Sequence, residues 1–430
     1  MDRPRYNSSM NSRADAARPD KAASPTSIAD VAVIGGGIVG AAAALGAAHA
    51  GLSTIWVAGR DHPGPDADTR KTDFDVRVYA LSPSTQRFLD TLRVWPQLDT
   101  SRIAPVYDMR VYGDREGRAA LHFGAYEAAT ESLATIVEHR ELSRVLDAAA
   151  GYFPGIERIE GFASQIMIDE ELATIRTDRG VRRAHLVIAA DGAQSPTRAA
   201  YAITTETKPY EQHAVVGNFA CARAHAGTAF QWFTDEGVVA LLPLPDIEGR
   251  HAVSLVWSAP DTIAEELMRG GSVAIAARLS ALRCTPVASR SAHSIGPLEA
   301  LGTMVSIPLT MQFARRMVAP RGALVGDAAH VVHPLAGQGL NLGLQDVEVL
   351  LDMLTARESF RDCGDAVLLR RYERARAEPV FAMRHMTDGL ARLFASEHPS
   401  LARLRTLGMR VVDRLSPVKR LLIRQASGNP

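Results

Sequence analysis

Long apolar runs and cysteines are both scarce in this 430-residue chain. No stretch approaches the ~20 consecutive apolar residues of a membrane-spanning helix, so we expect no membrane span. Three scattered cysteines suit no disulfide framework and favour a reducing, cytoplasmic setting. Basic and acidic side chains balance at 48 each, which argues against nucleic-acid binding, since such binding needs a surplus of positive charge.

Metal-ligand sets are also missing from the sequence. His330 and His333 stand three residues apart, but no nearby cysteine or carboxylate completes a ligand set, so we expect no metal site. The sequence pattern does not indicate a particular catalytic residue. Only one G-x-G-x-x-G motif occurs, which argues against reductases with two dinucleotide-binding domains.

What the sequence does contain begins with a strand, a glycine turn and a helix. Residues 30–34 are a β-branched apolar run, and residues 38–50 are rich in alanine without proline. Gly35, Gly37 and Gly40 form G-x-G-x-x-G between them. In a dinucleotide site these glycines allow the tight turn, the approach of a pyrophosphate and the packing of helix on strand. The pattern favours dinucleotide binding over a glycine-rich turn without a ligand.

The second predicted strand, residues 53–58, lacks the residue that usually completes such a site. An acidic side chain is expected about 20 residues beyond the glycines, where it bonds the cofactor ribose. Ala58 stands there instead and has no side-chain acceptor. Asp61 or a backbone group could bond the ribose, and the sequence leaves both open.

Two later segments indicate which dinucleotide is bound. Residues 187–198 form an apolar strand followed by Asp191 and Gly192, and residues 323–344 form a strand followed by Asp327. With the glycine loop, these segments resemble in order and spacing the three signature segments of the single-component FAD-dependent aromatic hydroxylases. More narrowly, the chain resembles the ubiquinone-biosynthesis hydroxylases of that superfamily. The supporting segments are residues 75–95, 136–146, 241–245 and 417–428.

The resemblance implies an α/β fold class: a Rossmann-like FAD-binding domain with an inserted antiparallel-sheet substrate domain and a C-terminal helical segment. The β-rich runs and turn signals between residues 214 and 258 independently predict the antiparallel sheet. The expected boundaries are 29–105, 136–200 and 295–380 for the FAD-binding domain, 106–135 and 201–294 for the substrate domain, and 381–430 for the helical region. Residues 1–28 lack an apolar segment, which predicts a disordered tail.

The resemblance also implies which residues hold FAD. Asp327 would bond the ribityl chain, and Asp191 and Gly192 would hold their segment against the cofactor. Arg77 and Arg140 match positions that flank FAD, although a surface ion pair explains each arginine equally well. The expected cofactor-binding residues are Gly35, Gly37, Gly40, Arg77, Arg140, Asp191, Gly192, Asp327, Gly337, Gly339, Leu340 and Asn341.

A glycine-rich loop and a helix follow Asp327. The loop contains Gly337 and Gly339, and apolar residues recur on one face of the helix from about Leu340. The N–H groups at the start of this helix would point at the flavin and stabilise the negative charge of its reduced form. The residues expected to line the substrate pocket are His333, Pro334 and Leu335.

The chemistry implied by the family uses NADPH or NADH as a transient co-substrate that reduces FAD. O2 then forms a flavin C4a-hydroperoxide, which hydroxylates an electron-rich ring, here a prenylated ubiquinone precursor. Two alternatives stay open. One is a related monooxygenase acting on a soluble phenol or another lipid. The other is a weakly active flavin-binding scaffold of a quinone-biosynthesis complex, which the missing acid at Ala58 keeps open.

Residues 401–430 contain seven basic side chains and one acidic side chain. Apolar residues at helical spacing lie among them, which suits either an amphipathic helix on a membrane surface or a helix packed on the protein body. The expected location is the bacterial cytoplasm, with peripheral contact to the inner membrane face as an open alternative.

Overall fold

The computed structural model describes residues 28–59, 74–113, 119–247, 249–282, 295–333 and 338–395. The strands in chain order are β1 (Ala29–Ile34), β2 (Thr54–Ala58), β3 (Val78–Leu81), β4 (Ile103–Val106), β5 (Asp108–Tyr112), β6 (Ala119–Gly124), β7 (Ala134–Glu138), β8 (Ile156–Glu160), β9 (Ala163–Ile168), β10 (Ala173–Thr177), β11 (Gly180–Ala189), β12 (Thr205–Cys221), β13 (Thr228–Thr234), β14 (Gly237–Ile247), β15 (Arg250–Pro260), β16 (Leu298–Ala314), β17 (Val318–Ala319), β18 (Gly322–Leu324) and β19 (His330–Val331). The helices are α1 (Ile38–His49), α2 (Pro83–Thr91), α3 (His139–Gly151), α4 (Pro196–Ala200), α5 (Asp261–Ala281), α6 (Gln338–Thr355) and α7 (Ala366–Ala395).

The first sheet has a parallel centre in the order β18-β11-β1-β2-β8. β9, β10 and β17 extend it in antiparallel fashion. Successive side chains of a strand point to opposite faces, so Val31 and Val33 pack against α1 while Ala32 and Ile34 join the core on the other face. The carboxyl ends of the parallel strands meet at one edge, where α1 begins. Ligands of open α/β sheets bind at this edge.

The second sheet has the order β19-β16-β12-β15-β14-β13-β5-β6 and is antiparallel except for the β13–β5 pair. Helix α5 covers one face, where Phe219 and Trp257 are fully buried. The predicted antiparallel sheet is therefore present. Strand β16, which the sequence groups with the FAD-binding part, lies in this second sheet because it pairs along most of its length with β12.

A third, three-stranded sheet has the order β3-β7-β4, and α2 and α3 follow β3 and β7. Helix α6 packs against both α1 and α7, so it connects the glycine loop with the C-terminal part of the described chain. Pro379 lies inside α7. None of the helices that the structure describes has both the length and the apolar character needed to cross a membrane.

The α/β fold class is confirmed, and so are the strand, helix and strand predicted around the glycine loop. Gly51 ends the first helix with a φ of +76°, a left-handed conformation that glycine adopts readily. The predicted C-terminal helix begins earlier than expected, at Ala366, and runs to Ala395. The predicted tail up to residue 27 and the basic segment 401–430 lie outside the described residues.

Candidate functional site

The glycine loop forms an open cradle at the N-terminus of α1. A Cβ atom on Gly35, where φ is +132°, would lie 2.2 Å from the Ala190 carbonyl oxygen, and one on Gly40 would lie 2.1 Å from the Gly35 carbonyl oxygen. These two glycines are therefore required by packing. Among the described residues, a Cβ on Gly37 would meet no atom within 4 Å, and no side chain caps the helix. The space and N–H groups at Gly37 fit a phosphate group.

The Asp327 loop lies directly beside this cradle. A Cβ on Gly326, whose φ is +60°, would lie 3.1 Å from the Val39 side chain, and one on Gly343 would lie 2.9 Å from the Gly326 Cα. Helix α1 thus contacts the loop at Gly326 through Val39, and helix α6 contacts the loop through its own Gly343. The Val325 N–H donates to the Ala189 carbonyl, which joins the loop to the end of β11. The fold therefore brings all three predicted sequence segments to one edge of the first sheet.

Asp327 is accessible to solvent, but protein atoms surround most of its carboxyl group. This desolvation raises its pKa, while His330 and Arg77 act in the opposite direction. Burial also raises the pKa of Tyr79 to about 12. The charge of Arg77 lowers this pKa, and the charge of Asp327 raises it. Arg77, Tyr79 and Asp327 therefore share one electrostatic environment. An accessible carboxyl with a basic side chain near it suits hydrogen bonding to the ribityl hydroxyls of FAD.

A single carboxylate joins the two predicted arginine segments. Asp75 accepts hydrogen bonds from the backbone N–H of Arg77 at 3.0 Å and from that of Arg140 at 3.1 Å. Next to Arg140, His139 Nδ1 lies 3.0 Å from the Tyr79 hydroxyl. The structure thus places both arginines on neighbouring backbone segments, with Arg77 the one whose charge acts on Asp327.

The Asp191 carboxylate is used to hold its own segment together. It accepts hydrogen bonds from the Ser195 hydroxyl and, at 2.9 Å, from the Thr197 N–H at the start of α4. Arg198 then donates to the Ala328 carbonyl at 2.9 Å, so the segment is tied to the Asp327 loop. Gly192 has a φ of +85° and open space where a Cβ would lie. The Asp191 side chain thus bonds the first turn of α4, whose N-cap is Ser195.

The Asn341 side chain bonds backbone groups at the end of β3. Its amide accepts from the Ser82 N–H at 2.9 Å and donates to the Ala80 carbonyl at 2.8 Å. These bonds tie α6 to the end of β3. A Cβ on Gly339 would make one ordinary contact, and Leu340 is half-buried at the first turn of α6. Three predicted site residues lie outside the described part of the chain: Pro334, Leu335 and Gly337.

Sequence reasoning missed a buried charge network behind the Asp327 loop. The fully buried Asp346 carboxylate accepts from the Gly326 N–H at 2.9 Å, from His330 Nε2 at 2.7 Å and from Arg376 Nε at 2.7 Å. Burial alone would raise the pKa of Asp346, but His330, Arg376 and the Gly326 N–H hold it below its usual value. The sequence contains one sign of this network: Asp346 stands directly before Val347, among the apolar residues that α6 buries.

His333 lies between the Asp327 loop and the second sheet. It is 2% exposed, and its ring meets that of Tyr210 on β12 edge to face, with centroids 4.9 Å apart. Its Nδ1 atom is buried and makes no hydrogen bond to the described residues. Burial lowers the pKa of His333 to about 4, so the imidazole is neutral at pH 7. Within the described residues, no group of three metal-ligating side chains surrounds His330 or His333.

Comparison with known proteins agrees with this geometry. The family model described as "FAD binding domain" matches residues 28–386. The chain is 34% identical to ubiquinone hydroxylase UbiL of Rhodospirillum rubrum over 93% of this chain and 90% of that protein. It is 31% identical to 3-demethoxyubiquinol 3-hydroxylase of Escherichia coli, over 93% of this chain and 98% of that protein.

Among solved structures, p-nitrophenol 4-monooxygenase PnpA of Pseudomonas putida superposes with a TM-score of 0.71 and 18% identity, covering 93% of this chain and 98% of that one. This likeness extends over both large sheets and establishes a shared fold. The match over residues 28–386 and the 34% identity to a hydroxylase show that the chain belongs to the FAD binding domain family and is a FAD-dependent monooxygenase.

Proposed function

We propose that this enzyme hydroxylates the aromatic ring of a prenylated ubiquinone precursor, with NADPH or NADH and O2 as co-substrates. The observation that carries the proposal is the similarity, over nearly the whole described chain, to two relatives named for hydroxylation in ubiquinone chemistry. Bound FAD would supply the transfer of electrons from the nicotinamide and of one oxygen atom of O2 to the ring.

The residues of the chain would position the cofactor. Gly37 and the first turn of α1 would hold the pyrophosphate, and the Asp327 carboxylate would accept hydrogen bonds from the ribityl hydroxyls. The Asp346 network would keep the Asp327 loop in place through the Gly326 N–H. Arg77 would add positive charge near the Asp327 carboxylate.

His333 would act on the substrate side of the cofactor. Its neutral imidazole has an Nδ1 atom that makes no hydrogen bond to the described residues and can accept one from a phenol hydroxyl. Such a bond draws the phenol proton away from oxygen and raises the electron density of the ring, which favours attack on an electrophilic oxygen atom. Tyr210 fixes the orientation of the imidazole from the second sheet.

The test compares ring substrates that differ only in the prenyl chain. Purified FAD-loaded protein is mixed with NADPH in air and with either a prenylated phenol or the same phenol without the chain. The proposal predicts substrate-stimulated NADPH oxidation and a hydroxylated product with the prenylated phenol. Product from the unprenylated phenol alone would instead support an enzyme of soluble phenols. Flavin binding without any product would support the scaffold alternative.

We further propose that residues 401–430 contact the membrane surface and that the enzyme works beside other enzymes of quinone biosynthesis. The support is the excess of basic side chains in this segment together with the lipid character of the proposed substrate.

A further inference from the structure

The end of β2 leaves the cofactor ribose without a carboxylate. Ala58 is 1% exposed, and its Cβ lies 3.4 Å from where a Cβ on Gly36 would be. The strand end is therefore packed directly against the glycine loop. A methyl group accepts no hydrogen bond, so among the described residues we look for an acceptor for the ribose hydroxyls on a neighbouring strand.

The neighbouring strand carries a carboxylate at the corresponding position. β8 runs parallel to β2, and its last residue, Glu160, pairs in register with Ala58. The N–H of the next residue, Gly161, donates to the Ala58 carbonyl at 3.1 Å, which fixes the two strand ends to each other. Adjacent strands lie ~4.8 Å apart, a distance that a glutamate side chain can bridge.

The face to which Glu160 points follows from the residue two positions earlier. Arg158 pairs with Trp56, and its guanidinium lies 4.6 Å from the centroid of the Trp56 ring. Trp56 and Ala58 both belong to the core that α1 covers. Because side chains alternate along a strand, Arg158 and Glu160 share this face. Glu160 therefore stands at the carboxyl edge of the sheet, on the side where α1 begins.

An exposed aromatic ring lies at the same edge. Phe162 is 80% exposed, and a Cβ on Gly59 would lie 2.8 Å from its ring. Phe162 thus covers the chain just after Ala58, two residues beyond Glu160 at the same strand ends. A flat apolar ring at that place suits contact with a purine.

We propose that Glu160 takes the place of the missing acid and accepts hydrogen bonds from the adenosine ribose of FAD, with Phe162 packing beside the adenine. This inference rests on FAD binding and not on the proposed substrate. Its failure would therefore leave the hydroxylase proposal untouched, and a failed hydroxylation assay would leave this inference untouched.

The test measures FAD affinity of the FAD-free protein by quenching of flavin fluorescence. Glu160→Gln replaces a charged acceptor by a neutral amide, and we expect FAD to bind about tenfold more weakly. The matched control is Glu157→Gln. Glu157 is also exposed on β8 but pairs with Ile55, whose side chain lies in the core on the opposite face, and it bonds Arg182 at 2.8 Å. This control should bind FAD as the unsubstituted protein does.

Two further measurements decide between sources of the acceptor. FMN lacks the adenosine, so Glu160→Gln should leave FMN affinity unchanged. Asp61→Asn tests the acid that follows β2 in the sequence. The inference is overturned if FAD affinity of Glu160→Gln stays within twofold of that of the unsubstituted protein, if Glu157→Gln weakens FAD binding equally, or if Asp61→Asn alone produces the loss.

Discussion

Replacing Asp346 by asparagine should destabilise the protein strongly. The carboxylate is fully buried and accepts three hydrogen bonds, one of them from Arg376, whose side chain is 3% exposed. Asparagine keeps the size but removes the charge, so the Arg376 guanidinium stays buried without a counter-charge. Removing one partner of a buried ion pair costs about 3–5 kcal/mol. We expect that loss in the free energy of unfolding of the FAD-free protein, measured by urea titration.

Two controls separate this cost from a general effect of substitution in α6. Asp352→Asn changes an exposed acid of the same helix and should alter stability by less than about 0.5 kcal/mol. Asp346→Leu combined with Arg376→Met removes both charges and should recover the part of the loss that comes from the unpaired ion, while the Gly326 N–H and His330 still lack their acceptor. A loss below about 1 kcal/mol for Asp346→Asn, or no recovery in the double variant, would refute the reasoning.

The lowered pKa of Asp346 gives the same network a pH dependence. A carboxyl whose pKa is lower in the folded than in the unfolded state stabilises the fold above its unfolded pKa, near 3.9. That stabilisation disappears as the pH falls through the folded pKa. In Asp346→Asn this acid-dependent contribution should be absent from the urea titrations.

Three other results are expected. Gly37→Val should fold normally, because a Cβ at Gly37 meets no atom of the described residues within 4 Å. It should bind FAD at least about tenfold more weakly, because the valine side chain fills the cradle. Gly40→Ala should instead lower the stability of the FAD-free protein, because its Cβ meets the Gly35 carbonyl. His333 is protonated in the unfolded chain below pH 6.5 but stays neutral in the folded protein down to about pH 4, so the free energy of unfolding should fall by about 3 kcal/mol over this range. His333→Phe should remove this part of the pH profile. An unchanged profile in that variant would contradict the prediction. Deleting residues 401–430 should reduce sedimentation with anionic vesicles while FAD stays bound, and equal sedimentation would reject the membrane contact.

The parts of the fold that the sequence predicts are those with local causes. Gly35, Gly37 and Gly40 act within one turn, so the strand, loop and helix around them can be read from adjacent residues. Strand β16 pairs with a strand about a hundred residues earlier, and no local pattern indicates which sheet it joins.

The candidate site shows the same limit at the level of side chains. Asp346 is bonded to groups 16 to 30 residues away, and Asn341 to groups about 260 residues away, so their partners become known only with the fold. The resemblance to known hydroxylases points to the Asp191 segment, but the hydrogen bond from the Thr197 N–H to its carboxylate becomes known only with the coordinates. Glu160 was missed for a similar reason, because only strand pairing places it beside Ala58.

The most direct test of the central claim is the source of the oxygen atom in the product. FAD-loaded protein is supplied with NADPH, a prenylated phenol and isotope-labelled O2, and the product mass is measured. The account predicts a hydroxylated ring that carries one labelled oxygen atom. NADPH oxidation that yields only hydrogen peroxide with an unchanged phenol, or a product whose new oxygen comes from water, would contradict it.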